Sequence, residues 1–376
     1  MSALRAIVVG GSLSGLCAAL ALAADGAEVV LFERDREPGA SGAGLGVERP
    51  LLGQVTGVSP FGTTDTAALP VITSNRDSTA WMLIYQWLRG LVDRCQHITL
   101  HYGIEVTQVR ADAIGATVFT TAGPSAADLV VGADGYRSAV RRNVAPDQPD
   151  AAFAGYMLWR GLVEEADLPT QAPRPGRVPR VGVEWKGAYR LVAYYVPGAD
   201  GSIKPGHRRI SWAWYDPFQD ELLRKTGAVD GGTVRHSIAP SAIPADLTET
   251  LQDRARELWP DPWRSAVQVG VGAGRCFATP IAEYVPTRLI AGHAALVGDA
   301  AHVSSPMTGS GFHYALLDVL SLRRAVAGVT PGGMVAPALA RFERARLADD
   351  RQLALYGQRW SRDYLASLHS GEGAAH

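Results

Sequence analysis

Gly10-Gly11-Ser12-Leu13-Ser14-Gly15 lies between a short apolar run, Ala6–Val9, and an Ala- and Leu-rich stretch that ends at Asp25-Gly26. Glycines at such a joint permit a tight turn and close packing of helix on strand. A helix N-terminus placed there offers free amides and a positive dipole end to a pyrophosphate. Ser12 stands where these loops usually carry their middle glycine. Glu33 closes the next apolar run, where a carboxylate can hold a ribose hydroxyl. A second string, Asp128-Leu-Val-Val-Gly132-Ala133-Asp134-Gly135, ends a strand-like run in Asp-Gly, with Ser138, Arg141 and Arg142 beyond. A third, Leu296-Val297-Gly298-Asp299-Ala300-Ala301-His302, runs on to Pro306, Gly309 and Gly311. There an aspartate can accept hydrogen bonds from sugar-alcohol hydroxyls, and a Gly-rich helix start suits an electron-rich ring oxygen.

These strings need a β-α-β frame. Residues 5–9 predict a buried strand, 12–25 a helix and 28–33 a second strand, parallel to the first. Helical spacing recurs at 79–95, 246–258, 311–328 and 335–368, and strands are expected at 98–109, 116–120, 127–132 and 294–297. From about residue 150 the texture changes. Segments 155–163, 181–196 and 207–216 are strand-like and aromatic-rich, separated by Pro/Gly turns such as Pro173–Gly176 and Pro197-Gly198. They imply a largely antiparallel sheet with one face toward a cavity. Gly270-Val-Gly272-Ala-Gly274 resembles a second nucleotide fingerprint, but no helix pattern follows it, so a strand of small residues is expected. The expected fold class is α/β. A Rossmann-like dinucleotide-binding domain with a parallel sheet spans 1–150 and 265–330, an inserted, mostly antiparallel β-sheet substrate domain spans 151–264, and a C-terminal helical segment spans 331–370 with a frayed tail beyond.

With 376 residues, 47 % of them hydrophobic, the chain can bury one large or two intimately joined cores. A net charge of −1 argues against nucleic acid or an anionic membrane as partner. The 3 cysteines, Cys17, Cys95 and Cys276, are odd in number and far apart. They form no disulfide framework and no CxxC metal motif, so a reducing cytoplasm is expected. His302 and His313 are spaced irregularly for a metal site, and no metal is expected.

In this order and at these separations, the glycine-rich start, the Gly132–Arg141 string and the Gly298–Gly311 string resemble the motifs of the group A flavoprotein monooxygenases, the para-hydroxybenzoate hydroxylase-like family, over about residues 5–360. Trp81–Arg89, Ala154–Gly161 and Ile210–Tyr215 are similar to strings of its 2,6-dihydroxypyridine 3-monooxygenase-like members. The resemblance implies that the first domain binds FAD. Gly10, Gly11, Ser12, Leu13, Ser14 and Gly15 would wrap the pyrophosphate. Glu33 and Arg34 would meet the adenosine end, with Val106 touching the adenine through its backbone. Gly44 and Val47 would run past the flavin ring, and Tyr85 would border it where many members have an arginine. Asp134 would serve FAD and the pyridine nucleotide, and Asp299 the ribityl and pyrophosphate region. Pro306, Gly309, Gly311 and Phe312 would line the isoalloxazine. Met82 and His313 depart from the aspartate and asparagine found in relatives.

The implied reaction uses NAD(P)H and O2 to form a C4a-hydroperoxyflavin and to hydroxylate a small aromatic or heteroaromatic substrate. Alternatives on the same fold are epoxidation, Baeyer–Villiger insertion or a flavin-binding module without turnover. A halogenase is disfavoured, because Asp216 interrupts the relevant Trp212–Pro217 string and the first lysine is Lys186. Expected substrate-pocket residues are Tyr156, Trp159, Arg160, Tyr194, Tyr215 and His313. A homodimer is the expected assembly.

Overall fold

Ala-Ile-Val-Val is apolar throughout and rich in β-branched residues, which suits a strand buried on both faces. It forms most of β1 (Arg5–Val9), every residue after Arg5 being buried. A computed structural model describes residues 3–37, 43–73, 77–169, 181–330 and 334–370 of the chain. The Pro173–Gly176 turn, residues 39–42 of the Gly-rich loop and the 371–376 tail lie outside the described residues.

After β1 come α1 (Leu13–Ala23) and β2 (Glu28–Glu33), and β2 pairs parallel with β1. Helix α2 (Trp81–Arg94) leads to β3 (Ile98–Tyr102), which extends the sheet beyond β2. The chain then reverses direction across the sheet: β4 (Leu129–Gly132) pairs with the other edge of β1 and runs into α3 (Ala139–Val144). That reversal is a topological switch point, the place where open α/β sheets leave a crevice beyond their strand ends.

The second layer is antiparallel. It comprises β5 (Ala152–Glu164), the hairpin of β6 (Val181–Lys186) and β7 (Tyr189–Val196), then β8 (Arg209–Asp216). Helix α4 (Trp263–Gly272) packs on it and β9 (Cys276–Glu283) pairs with β5. Residues alternate between the faces. Trp159, Trp212, Trp214 and Trp263 share one buried cluster on the α4 side, while Leu158 and Arg160 border a groove on the other.

Strand β10 (Ala294–Leu296) returns to the first sheet beside β4, followed by α5 (Gly311–Val326) and α6 (Val335–Ser370). The first sheet thus has the order β10-β4-β1-β2-β3, all parallel, with Ile290–Ala291 antiparallel at the β10 edge. At 36 residues α6 is about 54 Å long at ~1.5 Å per residue. Phe342 near its start belongs to the first core, and Tyr364 near its end donates to the Ala188 carbonyl at 2.8 Å beside the second sheet. Among the described residues no helix is long and apolar enough to cross a membrane.

Four expectations need correction. The single strand at 98–109 is two strands in different sheets, because Gly103 turns the chain at φ 71° and Val106–Ala111 joins a separate three-stranded sheet. The run 181–196 is a hairpin turning at Gly187. The string Gly270–Gly274 is not a strand. Trp263, Ala266, Val267, Gly270 and Val271 are buried at helical spacing in and around α4, and a β-carbon on Gly270 would lie 3.0 Å from the Trp212 ring. Because α4 and β9 belong with the second sheet, the return to the first layer begins after Glu283 rather than at 265.

Gly15 shows what the glycine-rich turn demands: a β-carbon there would stand 1.8 Å from the Gly10 carbonyl oxygen. Gly15→Ala is expected to cost ~1–3 kcal/mol of stability, as overpacking does, and denaturant unfolding of the FAD-free protein measures it. An unchanged midpoint would show that the turn has room to spare.

Candidate active site

A groove of about 1100 Å³ opens at the switch point and runs between the first sheet's strand ends and the exposed face of the second sheet. That exceeds the ~300–1,000 Å³ of a single small-molecule pocket and suits a dinucleotide with a ring beside it. Gly10, at φ 102°, brings the ends of β1 and β4 together, since a β-carbon on it would meet the Ala133 carbonyl at 2.4 Å. The N-cap Ser12 makes no side-chain cap on α1, nor Ser310 on α5. Two uncapped helix starts therefore meet the groove with their amides and positive dipole ends, where anionic or electron-rich ligand atoms are stabilised. Ser12 has φ −82° and ψ −172°, extended geometry open to any residue, which explains how serine replaces the usual glycine.

The carboxylates of the groove are held differently. Glu33, at the end of β2, accepts from the Gly11 amide at 2.6 Å and the Asp35 amide at 2.9 Å. Asp134 caps α3, accepting from Ser138 Oγ at 2.5 Å and the Ala139 amide at 2.7 Å; burial nonetheless raises its pKa. Asp299 is open to the groove yet walled in by protein, so desolvation raises its pKa against the pull of His302 and Arg141. These features fit FAD: free amides for a pyrophosphate, acids for sugar hydroxyls and a helix start for the ring.

The second sheet supplies the opposite wall. Cross-strand register puts Val192 beside Ala213 and Ala213 beside Arg160; one step along, Arg190 lies beside Tyr215 and Tyr215 beside Leu158. Ser211 pairs with Tyr194 on the other side, and its Oγ accepts from the Gly44 amide at 2.9 Å. The result is a shallow cup with a floor of Ala213, Val192 and Ser211 and a rim of tyrosines and arginines.

Most expected residues line this groove. On the nucleotide side stand Gly10, Ser12, Leu13, Ser14, Glu33 and Arg34. Toward the centre come Gly44, Val106, Asp134 and Asp299, then Pro306, Gly309, Gly311 and Phe312. Arg160, Tyr194 and Tyr215 line the sheet side. Gly11 and Gly15 lie behind the wall, where their lack of a β-carbon permits packing. Val47 is buried in the first core. Tyr85 is buried against Trp81, its hydroxyl 2.7 Å from that of Tyr102, and it is Trp81 that borders the groove. Tyr156 sits one layer back, 2.7 Å from the lining residue Ser305. Trp159 faces the opposite side of the sheet and donates to Asp216 at 2.8 Å, so it is a core residue. His313 turns away to pair with Glu48 at 2.8 Å. Arg190, Ser211 and Ala213 were not foreseen. Their signal was the alternation of a strand: once Tyr194 and Tyr215 are placed, every second residue follows.

Beneath the third motif, His302 Nε2 lies 2.9 Å from Asp318 Oδ2 and 4.0 Å from Asp350, all three fully buried. Their ligand atoms converge within 4.8 Å as in a metal cluster, but the Arg346 guanidinium already bonds both carboxylates. Burial disfavours the His302 imidazolium, yet Asp318, Asp350 and Asp299 overcome this and raise its pKa. Asp350 is pushed up to about 7, first by burial and then by Asp318.

Comparison with known proteins agrees with this geometry. Residues 8–45 match the NAD(P)-binding Rossmann-like domain, 153–271 the FAD binding domain-like family and 266–354 the FAD binding domain. The chain is 28 % identical to the 2,6-dihydroxypyridine 3-monooxygenase of Paenarthrobacter nicotinovorans, over 82 % of this chain and 79 % of that protein. It is 28 % identical to the FAD-dependent urate hydroxylase of Klebsiella pneumoniae, over 94 % and 88 %. The solved structure of 2,6-dihydroxypyridine-3-hydroxylase from Arthrobacter nicotinovorans superposes with a TM-score of 0.73 at 23 % identity, covering 99 % of this chain and 94 % of that one. The chain is an FAD-dependent oxidoreductase. Its likeness to the group A flavoprotein monooxygenases, carried by three motifs in the sequence, extends over nearly its whole length.

The raised pKa gives His302 a stability contribution that is complete below about pH 6.5 and lost as pH rises through the higher folded value. Unfolding free energy measured against pH is therefore expected to fall above pH ~6.5, and His302→Asn should flatten that decline. Equal slopes in the two proteins would count against it. Asp299→Ala is expected to weaken FAD binding at least about tenfold, roughly one charge-assisted hydrogen bond; full flavin occupancy at sub-micromolar FAD would refute the assignment.

Proposed function

We propose that this chain is a single-component monooxygenase that uses NAD(P)H and O2 to hydroxylate a small, flat aromatic or heteroaromatic ring. One observation carries the reading. The cup on the second sheet, with its floor of Ala213, Val192 and Ser211, opens into the groove that the dinucleotide-binding loops line. Flat substrates are consistent with the relatives, whose names specify a dihydroxypyridine and urate.

FAD held in the groove supplies hydride acceptance from NAD(P)H and activation of O2. The protein's share is positioning and electrostatics. Gly10 to Ser14 and the start of α1 would hold the pyrophosphate, and Asp299 the adjoining sugar chain. The start of α5, at Gly311, lines the groove, and its amides and positive dipole end would favour an electron-rich ring there. Ala213 and Val192 let a planar substrate lie close to the sheet, and Tyr194 and Tyr215 exclude water at its edges. Burial raises the pKa of the Tyr215 hydroxyl, which keeps it protonated. Among the described residues the sheet side of the cup has no carboxylate to act as base, which suits a ring already activated by its own hydroxyl or nitrogen. Three free cysteines suit a reducing compartment, and we place the enzyme in the cytoplasm on that ground.

The test is NAD(P)H oxidation by FAD-loaded protein under air, with peroxide and hydroxylated product quantified across phenols, hydroxybenzoates and hydroxypyridines. A compound that speeds flavin reduction and appears as hydroxylated product is expected; failure of NADH and NADPH to reduce the flavin with every compound would defeat the proposal. Ala213→Leu fills the cup floor and is expected to lower kcat/KM about 100-fold, the scale of a misplaced substrate, with flavin content unchanged.

A further inference from the structure

Four ionisable side chains lie buried together beneath the loop that runs from Gly298 to Gly311. His302 comes from the loop, Asp318 from α5, and Arg346 and Asp350 from α6; none is more than 6 % exposed. Arg346 donates to both carboxylates and His302 to Asp318. No hydrogen-bond donor among the described residues reaches Asp350 Oδ2, which is shut off from solvent. Two carboxylates against one guanidinium leave a net negative charge, and a proton on the imidazole cancels it. With so little contact with solvent, that proton decides whether a buried charge is balanced. The other groups facing the cluster are few. Asp349 stands 3.4 Å from Arg346, the Tyr314 ring lies edge-on to His302 and beneath the Arg346 guanidinium, and Asp299 and Arg141 border the loop on the groove side.

The cluster backs onto the pyrophosphate loop. Asp318 accepts from the Gly298 amide at 3.0 Å, and Gly298 packs so closely on Ser14 that a β-carbon on it would lie 2.6 Å from Ser14 Oγ. Ser14 lines the groove at the start of α1, and Asp299, the residue after Gly298, lines it too. A dinucleotide in the groove brings the negative charge of its pyrophosphate to the other side of this contact. Negative charge there raises the proton affinity of the groups behind it, and a buried setting screens the effect only weakly.

We propose that FAD binds together with a proton, which the His302–Asp318–Asp350 cluster takes up. The proton passes from solvent to the imidazole and cancels the net charge; because the groups interact, it belongs to the cluster rather than to one atom. The coupling is reciprocal: the bound dinucleotide raises the cluster's proton affinity, and the protonated cluster tightens FAD binding by the same factor. Burial works against the imidazolium, but Asp318 and Asp350 raise the His302 pKa, and Asp350 itself is pushed up to about 7. FAD affinity is therefore full while the flavin-free cluster keeps its proton, and it falls as pH rises above about 7. His302 is a positioning residue, and its charge balances the acids that fasten the flavin loop. The coupling requires only that FAD binds, whichever ring is hydroxylated.

The experiment measures FAD binding to the flavin-stripped full chain from about pH 6 to 9. Quenching of flavin fluorescence gives Kd, and calorimetry in buffers of different ionisation enthalpy counts the protons taken up. Kd is expected to rise above pH ~7 by up to about tenfold per pH unit, the limit for one linked proton, with proton uptake over the same range. His302→Asn keeps a hydrogen-bond donor toward Asp318 but cannot titrate, and it should hold Kd within about threefold across the range. Asp350→Asn keeps an acceptor for Arg346 but removes the second negative charge, and the same flattening is expected. A constant wild-type Kd, or binding without proton uptake, overturns the proposal without any variant. A pH slope that survives in both variants, however weakly they bind, overturns it as well. Loss of that slope only in Asp299→Asn would place the proton on the groove's own acid instead.

Discussion

One carboxylate holds three segments of this protein at the edge of the groove. Asp318, fully buried on α5, accepts from the Gly298 amide at 3.0 Å and from His302 at 2.9 Å through one oxygen, and from Arg346 of α6 at 2.9 Å through the other. A buried charge is costly unless it is paired and its lone pairs are used, and here both conditions are met. The loop from Gly298 is thereby fastened to two helices before any ligand arrives. A second set of polar contacts secures it further on, where Tyr156 reaches Ser305 and Ser361, and Ser361 donates to Glu283 at 2.5 Å. Asp299 and Pro306 lie between and beside these fixed points. The loop is preorganised because its ends are tied to buried charge, and preorganisation is what electrostatic catalysis requires.

The second sheet divides its labour by residue parity. Its odd and even positions enter different environments, tryptophans against α4 on one face, a polar-rimmed cup on the other. Trp159 and Arg160 are neighbours in sequence and lie on opposite sides of a packed layer. The indole of Trp159 keeps its N–H satisfied by Asp216, which also accepts from Gln219 and the Phe218 amide. That network belongs to the core and stands apart from the groove.

The nucleotide half was legible because its signals are local. Gly10, Gly15 and Glu33 are dictated by backbone geometry within one β-α-β unit, and the order of three such strings narrows the fold further. The substrate half was legible only as texture. Tyr194 and Tyr215 border the cup while Trp159 does not, and no composition or spacing distinguishes an aromatic that faces a core from one that faces a groove until register is known. His313 and Tyr85 were misread for a related reason: their partners, Glu48 and Tyr102, meet them only in the folded chain. The glycines of α4 misled differently. They were expected to form a strand of small residues, yet they end a helix, and Gly270 is small because the Trp212 ring occupies the space a side chain would need.

The parity of the second sheet also bears on how such a protein changes over generations. Substitutions at Val192, Ser211 or Ala213 alter the shape and charge of the cup, yet their neighbours in sequence keep the tryptophan layer intact. Stability and selectivity are thus written on interleaved positions of the same strands and can vary almost independently. A lineage can exchange one ring for another by small steps, each folded and each able to keep its flavin, without passing through a collapsed intermediate form.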